Sequence, residues 1–223
     1  MNKQAITYPV SEWEKYARLH ASVTTSFQLA VYKEACKYLS GDIIDCGCGT
    51  AKIAPLLVDN KSVTSYTGVD FAEEMVVVSK WMLQKLQQKS FIIEQCKIEE
   101  LKGKEGYFTS AVSIQSYYSW PDPLLVLSHI YKMLSSDGIF VLVTPNPSLS
   151  LEKLAKESEK ELIAHPDFEA FKEYNLQLAG NTQANFISMD ELISQVQEVG
   201  FKVLECNQNH FLGGLNFLVL KKE

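Results

Sequence analysis

The chain has 223 residues, 46% of them apolar and 22% charged, with a formal charge of −6 and an isoelectric point of about 5.3. That length and apolar content suit one domain with a sizeable core, while the acidic balance argues against nucleic-acid partners, whose binding surfaces carry a clustered basic excess. No apolar run approaches the roughly 18 residues of a membrane span, and the start, MNKQAITYPVSEWEKY, has no apolar signal core, so the expectation is a cytoplasmic protein with no membrane partner.

In chain order, residues 1–40 read as a helical cap. SEWEKYARLH opens with Ser11 and has Glu14 three residues on, the spacing of a capping box. SFQLAVYKEACKYL follows and stops at Ser40-Gly41. Residues 41–145 then alternate apolar strands with helices. The strands are DIIDC (42–46), SVTSYTGVD (62–70), SFIIEQC, GYFTSAVSIQ (106–115) and IFVLVTP (139–145). The helices are TAKIAPLLV, with Pro55 in its first turn, AEEMVVVSKWMLQKLQQ (72–88) and DPLLVLSHIYKMLSS (122–136), followed by a turn at Asp137-Gly138. Such alternation predicts an α/β, doubly wound, mostly parallel sheet. Residues 146–187 interrupt it with two helical stretches and no strand, and are expected to form a lid. SMDELISQVQEVG, with Ser188 and Glu191 at capping-box spacing, resumes the pattern. FKVLECN and LNFLVLKK close it as an antiparallel hairpin, giving a last segment of 188–223 in a single 223-residue domain.

The chemistry concentrates at DCGCGTAK (45–52). A strand followed by Gly-x-Gly and a helix lets the backbone approach a ligand closely and presents free N–H groups to it. Asp70 ends the next strand, where a carboxylate can accept bonds from two ribose hydroxyls. The dinucleotide pattern G-x-G-x-x-G is not met, because the sixth position from Gly47 is Lys52. Asp45, two residues before the first glycine, would repel a pyrophosphate and suits a cofactor bearing an ammonium group.

IIDCGCGTAKIAPLL resembles motif I of class I S-adenosylmethionine-dependent methyltransferases, with Ala51 at the third glycine. YTGVDFAEEMV, FIIEQCKIEEL, YFTSAVSIQSYYSWPD and IYKMLSSDGIFVLV are similar to the family's later motifs in order and spacing, with Thr109, Lys97 and Asp137 departing from the usual letters. The resemblance spans roughly 40–223 and implies a Rossmann-like seven-stranded sheet, with S-adenosyl-L-methionine as cofactor and S-adenosyl-L-homocysteine as product. It implies cofactor contacts from Asp45, Gly47, Cys48 and Gly49 of the loop and from Asp70 at the ribose. Phe71, Met75, Lys97 and Ile98 would stand around the adenine, with Ile114 at the end of the fourth strand and Tyr16 on a closing N-terminal helix beside Trp13.

The acceptor is expected to be a small molecule, methylated on N, O or C mainly through alignment and desolvation. Tyr117, Tyr118 and Trp120 follow the fourth strand and are candidates to line its pocket, Tyr118 being the candidate catalytic residue. His20 and His210 are candidate substrate contacts, whereas His129 and His165 read as structural. Cys46 and Cys48 could begin a zinc site, but the two further ligands that tetrahedral zinc needs are missing at workable positions, so no metal is expected and both read as small apolar residues. Two other readings stay open: a nicotinamide-dependent oxidoreductase on a similar sheet, and a cofactor-binding partner subunit without activity of its own.

Overall fold

The computed structural model describes residues 10–182 and 185–223. Strands β1 (Gly41–Cys46), β2 (Val63–Asp70), β3 (Phe91–Gln95), β4 (Phe108–Ile114), β5 (Leu134–Pro145), β6 (Phe201–Asn207) and β7 (Leu215–Lys222) form one sheet in the order β3-β2-β1-β4-β5-β7-β6. The first five run parallel, and β7 pairs antiparallel with both β5 and β6. The chain winds outward from β1 to β3, then crosses to β4 on the other side of β1. This reversal opens a crevice at the carboxyl ends of β1 and β4.

Both faces of the central strands are buried, so they read as continuous apolar runs rather than as alternation. The alternation survives in where each side chain points. Ile44, Cys46, Ala111, Phe140, Leu142 and Leu218 enter one core. Ile43, Val112, Val141, Val143, Phe217 and Val219 enter the other. The first core is capped by α5 (Pro123–Met133) and α8 (Met189–Val199), through Leu127, Ile130, Leu192 and Val196. The second is capped by α2 (Ser26–Ala35), the single turn α3 (Ala54–Leu57) and α4 (Glu73–Leu86), through Val31, Leu57 and Leu83.

Several boundaries differ from those expected. Ser11 is not a cap: α1 (Val10–Ser22) already includes it. The true capping box is Thr25 with Gln28, each side chain taking the other's backbone N–H at 3.1 and 3.0 Å. The second helix stops at Ala35, four residues before the Leu39 expected. Asp137, at φ +61°, is not a turn before β5 but lies at an irregularity within it, where pairing to β4 jumps from Phe108–Leu134 to Ser110–Ile139. Ser188 caps α8 as expected, and Gly200, at φ +110°, ends it.

The expected lid segment holds α6 (Leu151–Leu162) and α7 (Phe168–Thr182). His165 sits in the turn joining them and its Nδ1 accepts the Asp167 N–H. α7 packs on α1 through aromatic rings: Tyr16 stacks on Tyr174 at 4.9 Å, 9° from parallel, and lies 5.9 Å from Phe171. The Tyr16 hydroxyl donates to Asn175 Oδ1 at 3.0 Å, and the Tyr174 hydroxyl donates to the Glu12 carbonyl. Both helices thus stand over the crevice. Residues 1–9 of the expected cap and 183–184 of the expected lid lie outside the described residues.

Candidate active site

A cavity of about 500 Å³ opens at the carboxyl ends of β1, β2 and β4 under α1. Its floor is the loop after β1. Gly47 lies at φ +74°, and a Cβ there would meet Ser116 Cβ at 2.4 Å. Glycine is therefore required by the neighbouring strand exit as much as by any ligand. Ser116 Oγ donates to the Cys46 carbonyl at 2.9 Å and accepts the Trp120 indole N–H at 3.1 Å, which clamps the β4 exit to the β1 exit. Gly49, at φ +53°, faces the cavity between His20 and Met75. Ala51 also takes a left-handed φ of +56°, a conformation that costs a residue with a Cβ about 1–2 kcal/mol.

Asp70 fastens this loop. One carboxylate oxygen accepts the Gly49 N–H at 2.9 Å and the other the Ala72 N–H at 3.0 Å. Burial lifts its carboxyl above the ordinary range, opposed by the N–H groups of Ala72, Gly49 and Phe71. Each oxygen keeps a lone pair for a ligand hydroxyl. Asp45 is buried deeper and accepts the Tyr66 hydroxyl at 2.7 Å. Burial pushes its carboxyl up to about 7, against that hydrogen bond and helped by the charge of Asp70.

The sequence reading missed Lys52 as a site residue. Its ammonium lines the cavity, donates to the Val23 carbonyl and is lowered to about 7 by burial. A basic residue three positions after the Gly-x-Gly turn was the available signal. Lys97 and Glu99 both line the cavity, and the Lys97 ammonium pairs with Glu100 at 3.3 Å. Cys48, Phe71, Met75, Ile98, Ile114, Tyr16 and Trp13 all reach the same cavity.

His20 lines it too, but over the glycine loop: its Nδ1 stands 2.9 Å from Thr50 Oγ1, and burial, then Lys52, holds the imidazole well below its ordinary pKa. Tyr118 and Trp120 are on the wall. Tyr117 is not. It turns into the core, donates to Gln195 on α8 and is 3% exposed. His210 also lies outside the cavity, packed on Phe217 with Nε2 3.5 Å from a Glu34 carboxylate oxygen. These two placements correct the expectation that both residues reach the acceptor pocket.

The two loop cysteines part company. Cys46 enters one core and Cys48 the other. Gly68 of β2 makes room for Cys48, since a Cβ there would lie 2.9 Å from its Sγ. Burial raises both thiols well above their ordinary value. Among the described residues, no group of three or more His, Cys, Asp and Glu side chains is placed to hold a metal ion.

A glycine loop tied to an acid at the end of β2, at a switch point in a seven-stranded sheet with an antiparallel hairpin, defines a nucleoside-cofactor site of the methyltransferase type. The model of the methyltransferase-domain family matches residues 25–206, and the chain belongs to that family. It is 26% identical, over 194 residues, to a malonyl-acyl-carrier protein O-methyltransferase of Bacillus cereus, covering 86% of this chain and 64% of that protein's length. The chain therefore spans somewhat under two thirds of that relative. A S-adenosylmethionine-dependent methyltransferase of Aquifex aeolicus superposes with a TM-score of 0.68 at 12% identity, over 97% of this chain and all of that one. A geranyl diphosphate methyltransferase solved with its diphosphate and sinefungin gives 0.66 at 12% identity, over 88% of this chain and 78% of that one. At such identities the shared property is the class I fold. Among the described residues, no helix is long and apolar enough to cross a membrane.

Proposed function

We propose that the chain transfers a methyl group from S-adenosylmethionine to a small-molecule acceptor. The observation that carries this is the loop of Gly47 and Gly49, fastened by Asp70 and opening on a cavity with an acidic and a basic side chain at its base. The fit is specific. Asp45 and Lys52 flank the glycines, one acid and one base, as the ammonium and carboxylate of an amino-acid end require. Asp70 keeps acceptor capacity for a ribose, and Met75, Ile98 and Glu99 line the side where a purine would lie. When bound, the cofactor supplies an electrophilic methyl on a sulfonium.

The protein's part is alignment and exclusion of water. Asp45 and Lys52 would hold the amino-acid end and Asp70 the ribose, so that the acceptor's nucleophilic atom would be presented in line with the methyl group. Tyr16 and Trp13 on α1 close the top. Well-aligned intramolecular reactions gain about 7–11 kcal/mol from such positioning, so little proton chemistry is asked of Tyr118, which borders the acceptor side. Its hydroxyl is expected to matter less than tenfold in kcat. A Tyr118→Phe variant that loses 100-fold or more would assign it an acid–base role instead.

Isothermal titration with S-adenosylmethionine and S-adenosylhomocysteine tests the reading. Absence of binding by both at millimolar concentration would overturn it, and tight binding of NADH would favour an oxidoreductase.

A further inference from the structure

A second, smaller cavity of about 100 Å³ adjoins the first beneath α6 and α7. The two share Gln115, Tyr118 and Asn175 on their common wall. The second is lined by Leu154 and Ala155 of α6, Phe168 and Phe171 of α7, and Phe186 and Phe211 from the flanking connections. None of the described residues on its wall is acidic. Most of its polar side chains are committed elsewhere. Thr25 and Gln28 cap each other's backbone N–H groups. Asn175 accepts from Tyr16 and donates to the Phe171 carbonyl. Lys172, the cation on this wall, pairs with Glu169 at 2.7 Å.

Gln115 differs. It directly follows β4 in a left-handed conformation, φ +59°, pinned by its own N–H to the Val143 carbonyl at 2.8 Å. No hydrogen bond engages its side-chain amide among the described residues. Left-handed backbone at a residue with a side chain is retained where the surrounding structure fixes it, and such positions cluster at ligand sites. Here the conformation sets an amide on the boundary between a polar cavity and an apolar one.

We propose that the second cavity takes the body of the methyl acceptor, that this acceptor is a neutral, predominantly apolar small molecule, and that Gln115 orients its nucleophile-bearing end at the shared wall. The proposal rests on the cofactor reading above. An ammonium acceptor would enter a compartment with no carboxylate to receive it, and burying an unpaired charge is strongly unfavourable. Size limits the body as well: a dry apolar cavity of roughly 150 Å³ takes up benzene, so the space here fits a short alkyl group or a small ring edge. Gln115 is a positioning residue in this scheme, donating to or accepting from the hydroxyl or enol that receives the methyl.

The test is titration calorimetry of straight-chain 1-alkanols, propanol to octanol, into the full chain with and without saturating S-adenosylhomocysteine. Affinity is expected to rise about fourfold per methylene, then level off once the cavity is filled. The 1-aminoalkanes of equal length are expected to bind at least tenfold more weakly. Ala155→Phe moves the plateau to shorter alcohols and Leu154→Ala moves it to longer ones, with the affinity for S-adenosylhomocysteine within twofold of the parent in each. Gln115→Leu weakens the alkanols about fivefold and leaves the matching 1-chloroalkanes unchanged. No dependence on chain length, an unmoved plateau in both cavity variants, equal binding of the amines, or equal loss for alkanols and chloroalkanes would overturn the proposal. Failure of S-adenosylhomocysteine to bind would sink the cofactor reading, whereas the alkanol titration of the ligand-free chain still decides the cavity.

Discussion

Asp70 and Asp45 are both buried acids at the base of one cavity, yet they do different work. Asp70 holds two loop N–H groups directly, so its side chain shapes the site before any ligand arrives. Asp70→Ala is expected to weaken S-adenosylhomocysteine binding by about 10- to 150-fold, the equivalent of one charged hydrogen bond of about 1.5–3 kcal/mol, measured by calorimetry on a variant whose fold is checked by circular dichroism. Asp45 instead stores unfavourable charge. Its carboxyl is held up near 7 by burial, against about 4 in an unfolded chain. A raised folded value means that this residue's stabilisation is full below about pH 4 and is lost as pH rises through about 7. Asp45→Asn keeps an acceptor for Tyr66 and removes that loss. The variant is expected to be more stable than the parent at pH 8, by about 2–4 kcal/mol, with the gap closing toward pH 4, read from urea unfolding at each pH. The same variant should bind the cofactor product more weakly, an exchange of stability for function.

At the scale of elements, the roof is the part most open to perturbation. α1 and α7 meet through Tyr16, Phe171 and Tyr174 rather than through the sheet. Phe171→Ala empties a largely buried ring position, for which about 3–5 kcal/mol is typical. Because α1 and α7 are joined to each other more than to the sheet, the loss is expected to appear as faster amide exchange in both helices, with β1, β4 and β5 unchanged. Exchange that accelerates uniformly would show the roof to be part of one cooperative core. The strands were legible because each is a short apolar run closed by a turn residue, whereas their order in the sheet rests on crossovers that no local pattern carries. Less was legible where one residue's rotation decides. Tyr117 and Tyr118 are neighbours in a single 3-10 turn, whose residues project about a third of a circle apart, so one enters the core and the other the cavity. His210 was misplaced because its 3-10 turn packs against α2, a long-range contact that no local pattern carries. Lys52 is visible in the sequence only as the missing glycine, since its ammonium's bond to the Val23 carbonyl is a long-range contact.

On the scale of the whole molecule, the cavity is where α1, the sheet and α7 converge, so a ligand there ties together elements that otherwise share few interactions. S-adenosylhomocysteine at 100 times its dissociation constant is expected to stabilise the fold by about 2.7 kcal/mol, or roughly 5–10 °C in a chain of this size, measured by scanning calorimetry. No such rise with short duplex DNA is expected from a chain of net charge −6. The parting of Cys46 and Cys48 to opposite faces of the sheet has a practical consequence. Cys206 is exposed and Cys36 half-buried, while both loop thiols are buried. An alkylating reagent therefore meets a graded set of clocks within a single chain. Cys206 reports the reagent, Cys46 reports opening of the core beneath α5 and α8, and Cys48 reports opening of the glycine loop. Occupancy of the cavity should slow the Cys48 clock far more than the Cys46 clock, which gives a readout of the loop's motion that requires no label and no knowledge of the acceptor.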